Sequence, residues 1–81
     1  MKQAFIKDRK EFDKVAPKYG FLKRSIGEYT EHWYKTIGKV ELYIFNLSSR
    51  VSFYEKGKTI FKGKKYTEKY IADILHLVEW K

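Results

Sequence analysis

The sequence predicts an α+β fold: an N-terminal helix, an antiparallel four-stranded β-meander and a C-terminal amphipathic helix packed on the sheet. Three observations carry this expectation. Near the start, Phe5, Phe12, Val15 and Ala16 fall at helix-like spacing among charged neighbours. From Tyr29 the period switches to two, with glycine-containing breaks between short runs rich in β-branched and aromatic residues. Further on, Ile71, Ile74, Leu75 and Val78 recur at i, i+3, i+4 and i+7.

Each element follows from its own residues. The first helix spans Gln3 to Ala16, keeps Lys7 to Glu11 on its polar side, and ends where Pro17 and Gly20 break the pattern. Residues 21–26 fit either a short strand or a loop. The first strand runs from Tyr29 to Ile37, and Gly38-Lys39 places glycine first, as a type II′ turn requires. Val40 to Leu47 forms the second strand, with its break at Ser48-Ser49. Val51 to Glu55 and Thr59 to Lys62 complete the meander around Lys56-Gly57, where glycine comes second, as in a type I′ turn. Thr67 is placed to cap the closing helix, with Glu68 favourable to its dipole.

Composition bounds what such a domain does. The 81 residues make a single compact basic domain, residues 1–81, with no room for a separate cofactor domain. With no Cys, a disulfide framework, a thiolate metal site and a cysteine nucleophile are excluded, and a reducing cytoplasm is the default compartment. The longest apolar stretch, Leu42 to Phe45, is too short for a secretory leader or a membrane span, so the expectation is a soluble chain with no membrane partner. The net charge of +8 comes from 18 basic residues, only three of them Arg (Arg9, Arg24 and Arg50). A lysine excess suits attraction to an anionic backbone or plain solubility better than base-edge reading, for which the planar guanidinium is preferred.

Nine of those 18 positive charges lie in two segments free of acids. One runs from Lys14 to Arg24; the other holds Lys56, Lys58, Lys62, Lys64 and Lys65. Contact of the second with about five phosphates would give a log–log salt slope of roughly −3.5 on single strands and −4.5 on duplex. A solvated, lysine-rich hairpin that protects an edge strand is the alternative.

Two-residue loops fix a register in which Ile37 faces Val40, Trp33 faces Ile44, Ile44 faces Phe53 and Phe53 faces Ile60. One side of the sheet is then apolar. The other carries Tyr34, Tyr43, Phe45, Leu47, Tyr54 and Phe61 beside His32, Arg50, Ser52 and Thr59, with Tyr43 opposite Tyr54. Rings interleaved with Arg and hydroxyls suit stacking of single-stranded bases. The same face also suits burial beneath the N-terminal helix, whose Phe5, Ile6 and Phe12 must be buried somewhere, or the interface of a homodimer.

Catalytic signals are lacking. Gly57-Lys58-Thr59 is no phosphate loop, because Ser52 stands where the motif's first glycine belongs. His32 and His76 have no metal-ligand spacing, and Glu28 with Glu31 lacks a neighbouring nucleophile. The expectation is a non-enzymatic nucleic-acid-binding or nucleic-acid-associated accessory protein without cofactor or metal. Lys56, Lys58, Lys62, Lys64 and Lys65 would meet phosphates, with Arg50, Tyr43, Tyr54 and Phe61 offering a guanidinium plane and rings. The competing expectation is a phage or mobile-element adaptor or inhibitor docking its aromatic face on an acidic protein.

Overall fold

The computed structural model describes residues 3–25, 31–60 and 64–81. The chain runs through β1 (Ala4–Ile6), α1 (Arg9–Val15), a 3₁₀ turn (Ala16–Tyr19), then β2 (Leu22–Ser25), β3 (Glu31–Ile37), β4 (Val40–Ile44), β5 (Val51–Glu55) and β6 (Lys58–Thr59). It closes through α2 (Lys64–Tyr70), a second 3₁₀ segment (Ala72–Leu77) and β7 (Val78–Trp80). Strands β2 to β6 form one antiparallel sheet in sequence order, and β1 pairs with β7 in a separate ribbon. Among the described residues no helix is long and apolar enough to cross a membrane.

The α+β class and the antiparallel meander hold, but the sheet has five strands rather than four. The additional strand is β2, whose four residues are all exposed, so no burial alternation marks it in the sequence. Its ladder to β3, from Leu22 opposite Tyr34 to Ser25 opposite Glu31, is what defines it. Residues 29 and 30 of the expected first strand, and residues 61 and 62 of the expected last one, lie outside the described residues.

The N-terminal helix is also shorter than expected. Asp8 adopts extended backbone and its side chain accepts from the Glu11 amide at 3.1 Å, so α1 begins at Arg9. The preceding residues instead pair with the far end of the chain, Ala4 opposite Trp80 and Ile6 opposite Val78. Gln3 and Lys81 exchange backbone bonds of 2.7 and 3.0 Å beside that pairing. A partner so distant in sequence leaves no local signal.

The C-terminal helix is replaced by three pieces. Thr67 does not cap it: Thr67 is a buried residue inside α2, and its carbonyl accepts from the Ile71 amide. Ile71, Ile74 and Leu77 are buried at a spacing of three, the period of a 3₁₀ helix, whereas Leu75 is half-buried and Val78 belongs to β7. A 3.6-residue reading of the same apolar residues takes one stripe where the chain makes a tighter turn and then a strand.

Both hairpin turns behave as their glycines dictate. Gly38 has φ +62, while Lys56 and Gly57 both take positive φ, +53 and +77. The β4–β5 connection differs from expectation. Phe45, not Leu47, pairs across to Arg50, and residues 46–49 form the loop, with Ser49 at φ +59 donating to the Phe45 carbonyl at 2.7 Å. Leu42 therefore faces Phe53, Ile44 faces Val51 and Tyr43 faces Ser52, a shift of two residues from the counted register. A shift of two preserves which side every residue occupies.

The expected apolar side is the core side. Trp33, Val40, Leu42, Ile44, Val51 and Phe53 are buried there, with Ile37 and Ile60 packed against them. Phe12 of α1 meets Phe21 and Trp33 edge to face at 5.3 and 6.3 Å, and the Trp33 indole donates to Asp13 at 2.8 Å. From the other end of the chain, Tyr70 lies 5.6 Å from Phe53, and Asp73 reaches Lys35 at 3.5 Å. Both helices thus cover the same side of the sheet.

Candidate functional site

Strand alternation places Leu22 and Arg24, His32 and Tyr34, Glu41 and Tyr43, Phe45, Ser52 and Tyr54 on the side opposite the helices. The N-terminal helix does not cover these rings, which answers the question that the sequence leaves open. Among the described residues, the rings on this side touch mainly one another.

Tyr43 is the centre. Its ring lies 6.3 Å from Tyr34, 6.3 Å from Phe45 in a near-parallel stack, and 5.6 Å from Tyr54 at 72°. Neighbours on several sides leave Tyr43 only 7% exposed, whereas Tyr34, Phe45 and Tyr54 are half-buried. The Arg24 guanidinium lies over Tyr34 at 5.8 Å and donates to the Tyr43 hydroxyl at 3.2 Å. That hydroxyl in turn donates to Glu41 Oε2 at 2.8 Å. Burial first, and then the Glu41 carboxylate, push the Tyr43 hydroxyl above the ordinary tyrosine value of 10.0, with Arg24 opposing.

Around this centre is an open groove of about 290 Å³, lined by Glu41, Tyr43, Phe45, Tyr54 and Gly57. Gly57 is the turn residue between Lys56 and Lys58, both exposed; Lys56 adjoins the groove through the turn, whereas Lys58 pairs with Glu55 and takes the parity of the helix side. At the other end of Phe45, His32 meets the ring edge to face at 5.0 Å, and its Nδ1 accepts from the Asn46 amide at 3.0 Å. A smaller polar pocket of about 80 Å³ lies next to this loop, between Arg9, Asp13, Lys23, Glu31, His32, Trp33 and Asn46.

The structure brings Tyr43 and Tyr54 together, with Lys56 next to Gly57 at the groove's end, while Lys58 has the parity of the helix side. Arg50 is exposed at the opposite end of β5, where it bridges to Phe5. Lys65 is exposed on α2, the helix on the core side, so the basic run does not form a continuous rim beside the rings. Lys64 begins α2, and Phe61 and Lys62 lie outside the described residues. Tyr43 contributes a buttress more than a free face. Compared with family models, curated proteins and solved structures, the chain matches none.

Four residues of this surface were not singled out by sequence. Tyr34 and Phe45 were visible to register counting as members of the face. Glu41 was readable by the same parity, two positions before Tyr43, but a carboxylate does not fit a phosphate-binding expectation. Arg24 is marked by its charge at the end of the acid-free segment from Lys14, but its place beside the rings is not readable, because residues 21–26 fit strand and loop alike.

Proposed function

We propose that this protein is a non-enzymatic accessory factor that binds single-stranded nucleic acid across the open aromatic side of its sheet. The observation that carries the reading is the placement of both helices on one side, which leaves Tyr34, Phe45 and Tyr54 half-buried on the other. A strand crossing from β2 to β6 would meet Arg24 first, then the rings around Tyr43, then Lys56 at the β5–β6 turn. Cations at both flanks hold phosphates, and the half-buried rings offer faces to bases, a contribution of roughly 1–3 kcal/mol for each stacked base. The net charge of +8 raises the encounter rate with any polyanion.

Fluorescence anisotropy with a labelled oligonucleotide tests this. Binding at micromolar protein in about 50 mM salt is expected, with single strands preferred over duplex. Tyr54→Ala should weaken single-strand binding by about tenfold or more, and Lys56→Gln should flatten the salt slope by roughly 0.7. Absence of binding in low salt ends the proposal.

A second reading is favoured by Leu22, which is 59% exposed beside Tyr34 and extends the rings into an apolar surface. In this reading the same side docks on an acidic protein. Its mark is a complex that resists nuclease and is lost on Leu22→Asp.

A further inference from the structure

A phosphate-binding groove has no use for a carboxylate, yet Glu41 lines the groove together with Tyr43, Phe45 and Tyr54. Its position is fixed from below. Arg24 donates to the Tyr43 hydroxyl at 3.2 Å, and that hydroxyl donates to Glu41 Oε2 at 2.8 Å. The relay uses one of roughly four lone-pair sites of the carboxylate and leaves the others available to a donor in the groove.

We propose that Glu41 makes the groove selective for guanine in a single strand, an inference that rests on the single-strand reading above. An ionised carboxylate only accepts, so it distinguishes bases by their donors. Guanine presents two adjacent donors, N1–H and the N2 amino group, on its Watson–Crick edge, and these match two carboxylate oxygens in a fork. Cytosine and adenine pair a single amino donor with a ring-nitrogen acceptor that repels the carboxylate. Thymine and uracil flank their one N–H with carbonyls. That edge is unavailable in a duplex, which ties the selectivity to single strands. Tyr54, nearly perpendicular to Tyr43, and Phe45, nearly parallel to it, form the walls against which a base plane would rest. A bidentate pairing of this kind discriminates by about tenfold or somewhat more.

The test uses the whole chain and labelled oligothymidylates of about twelve nucleotides, a length within the usual footprint of such surfaces, each carrying one central guanine, adenine or cytosine or no substitution. The guanine tracer should bind about tenfold tighter than the others. Glu41→Gln should reduce that preference below about threefold and tighten the guanine-free tracers about twofold by removing a negative charge from the groove. Tyr43→Phe, which keeps the carboxylate but removes its anchor, should leave an intermediate preference. Equal binding of all four tracers, or a preference that survives Glu41→Gln in a variant with unchanged circular dichroism, overturns the guanine assignment alone. Failure of every tracer to bind in low salt overturns the single-strand reading and this inference with it.

Discussion

Tyr43 shows how one side chain organises a surface without displaying itself. Its ring is walled in by Tyr34, Phe45 and Tyr54, and its hydroxyl is held between Arg24 and Glu41. Because burial and Glu41 raise its ionisation above the ordinary 10.0, the folded state favours the neutral phenol. The resulting stabilisation is fully present below the unfolded value and is lost as pH rises through the folded one. Tyr43→Phe should therefore cost about 1 kcal/mol near neutral pH, from the lost hydrogen bonds, and less as the pH climbs past about 10. Urea unfolding of both proteins at about pH 8 and 11 measures this; equal alkaline losses would assign the effect elsewhere. Register counting placed Tyr43 among rings. Its pinning was not legible, since Arg24 comes from the one segment whose pattern was ambiguous.

The β4–β5 hairpin owes its register to a residue outside it. Arg9 donates to the carbonyls of Phe45 and Asn46, to Ser49 Oγ and to Asn46 Oδ1, at 2.9 to 3.3 Å. It also pairs with Asp13 on its own helix. One guanidinium fork thus holds the four-residue loop in place of the two-residue Ser48-Ser49 turn that the sequence suggests. Arg9→Ala should lower stability by about 2 kcal/mol in urea unfolding and speed hydrogen exchange at the Ser49 amide, and Arg9→Lys should not restore either. The loop was illegible because its organiser lies 37 residues away from Asn46. The face assignment survived because strand alternation is insensitive to a shift of two. The same contrast holds elsewhere: turns set by local chemistry, at Gly38 and Lys56-Gly57, read correctly, whereas β1, paired with β7 at the far end of the chain, did not.

At the scale of the molecule, the sheet is a partition between stability and exposure, and neighbouring residues on β5 test it. Phe53 is fully buried beneath Tyr70, so Phe53→Ala should cost about 3–5 kcal/mol and leave little folded protein. Tyr54, one residue on and facing the other way, should cost about 1 kcal/mol as Ala in the same thermal or urea melt. Similar losses at the two positions would contradict the one-sided core. The two-sided character was legible from alternation alone, and so was the apolar side as the one a covering helix needs; that the N-terminal helix joins the C-terminal segment there was not, and the packing of Phe12 on Trp33 decides it. The ribbon of β1 and β7 gives this partition a mechanical aspect. A load applied between residues 3 and 81 falls first on the reciprocal bonds joining Gln3 to Lys81, and the antiparallel pairing then opens one rung at a time, like a zip. Strands β2 to β6 are spared until that ribbon has peeled, so under tension the molecule yields at the meeting point of its ends while its aromatic surface keeps its shape.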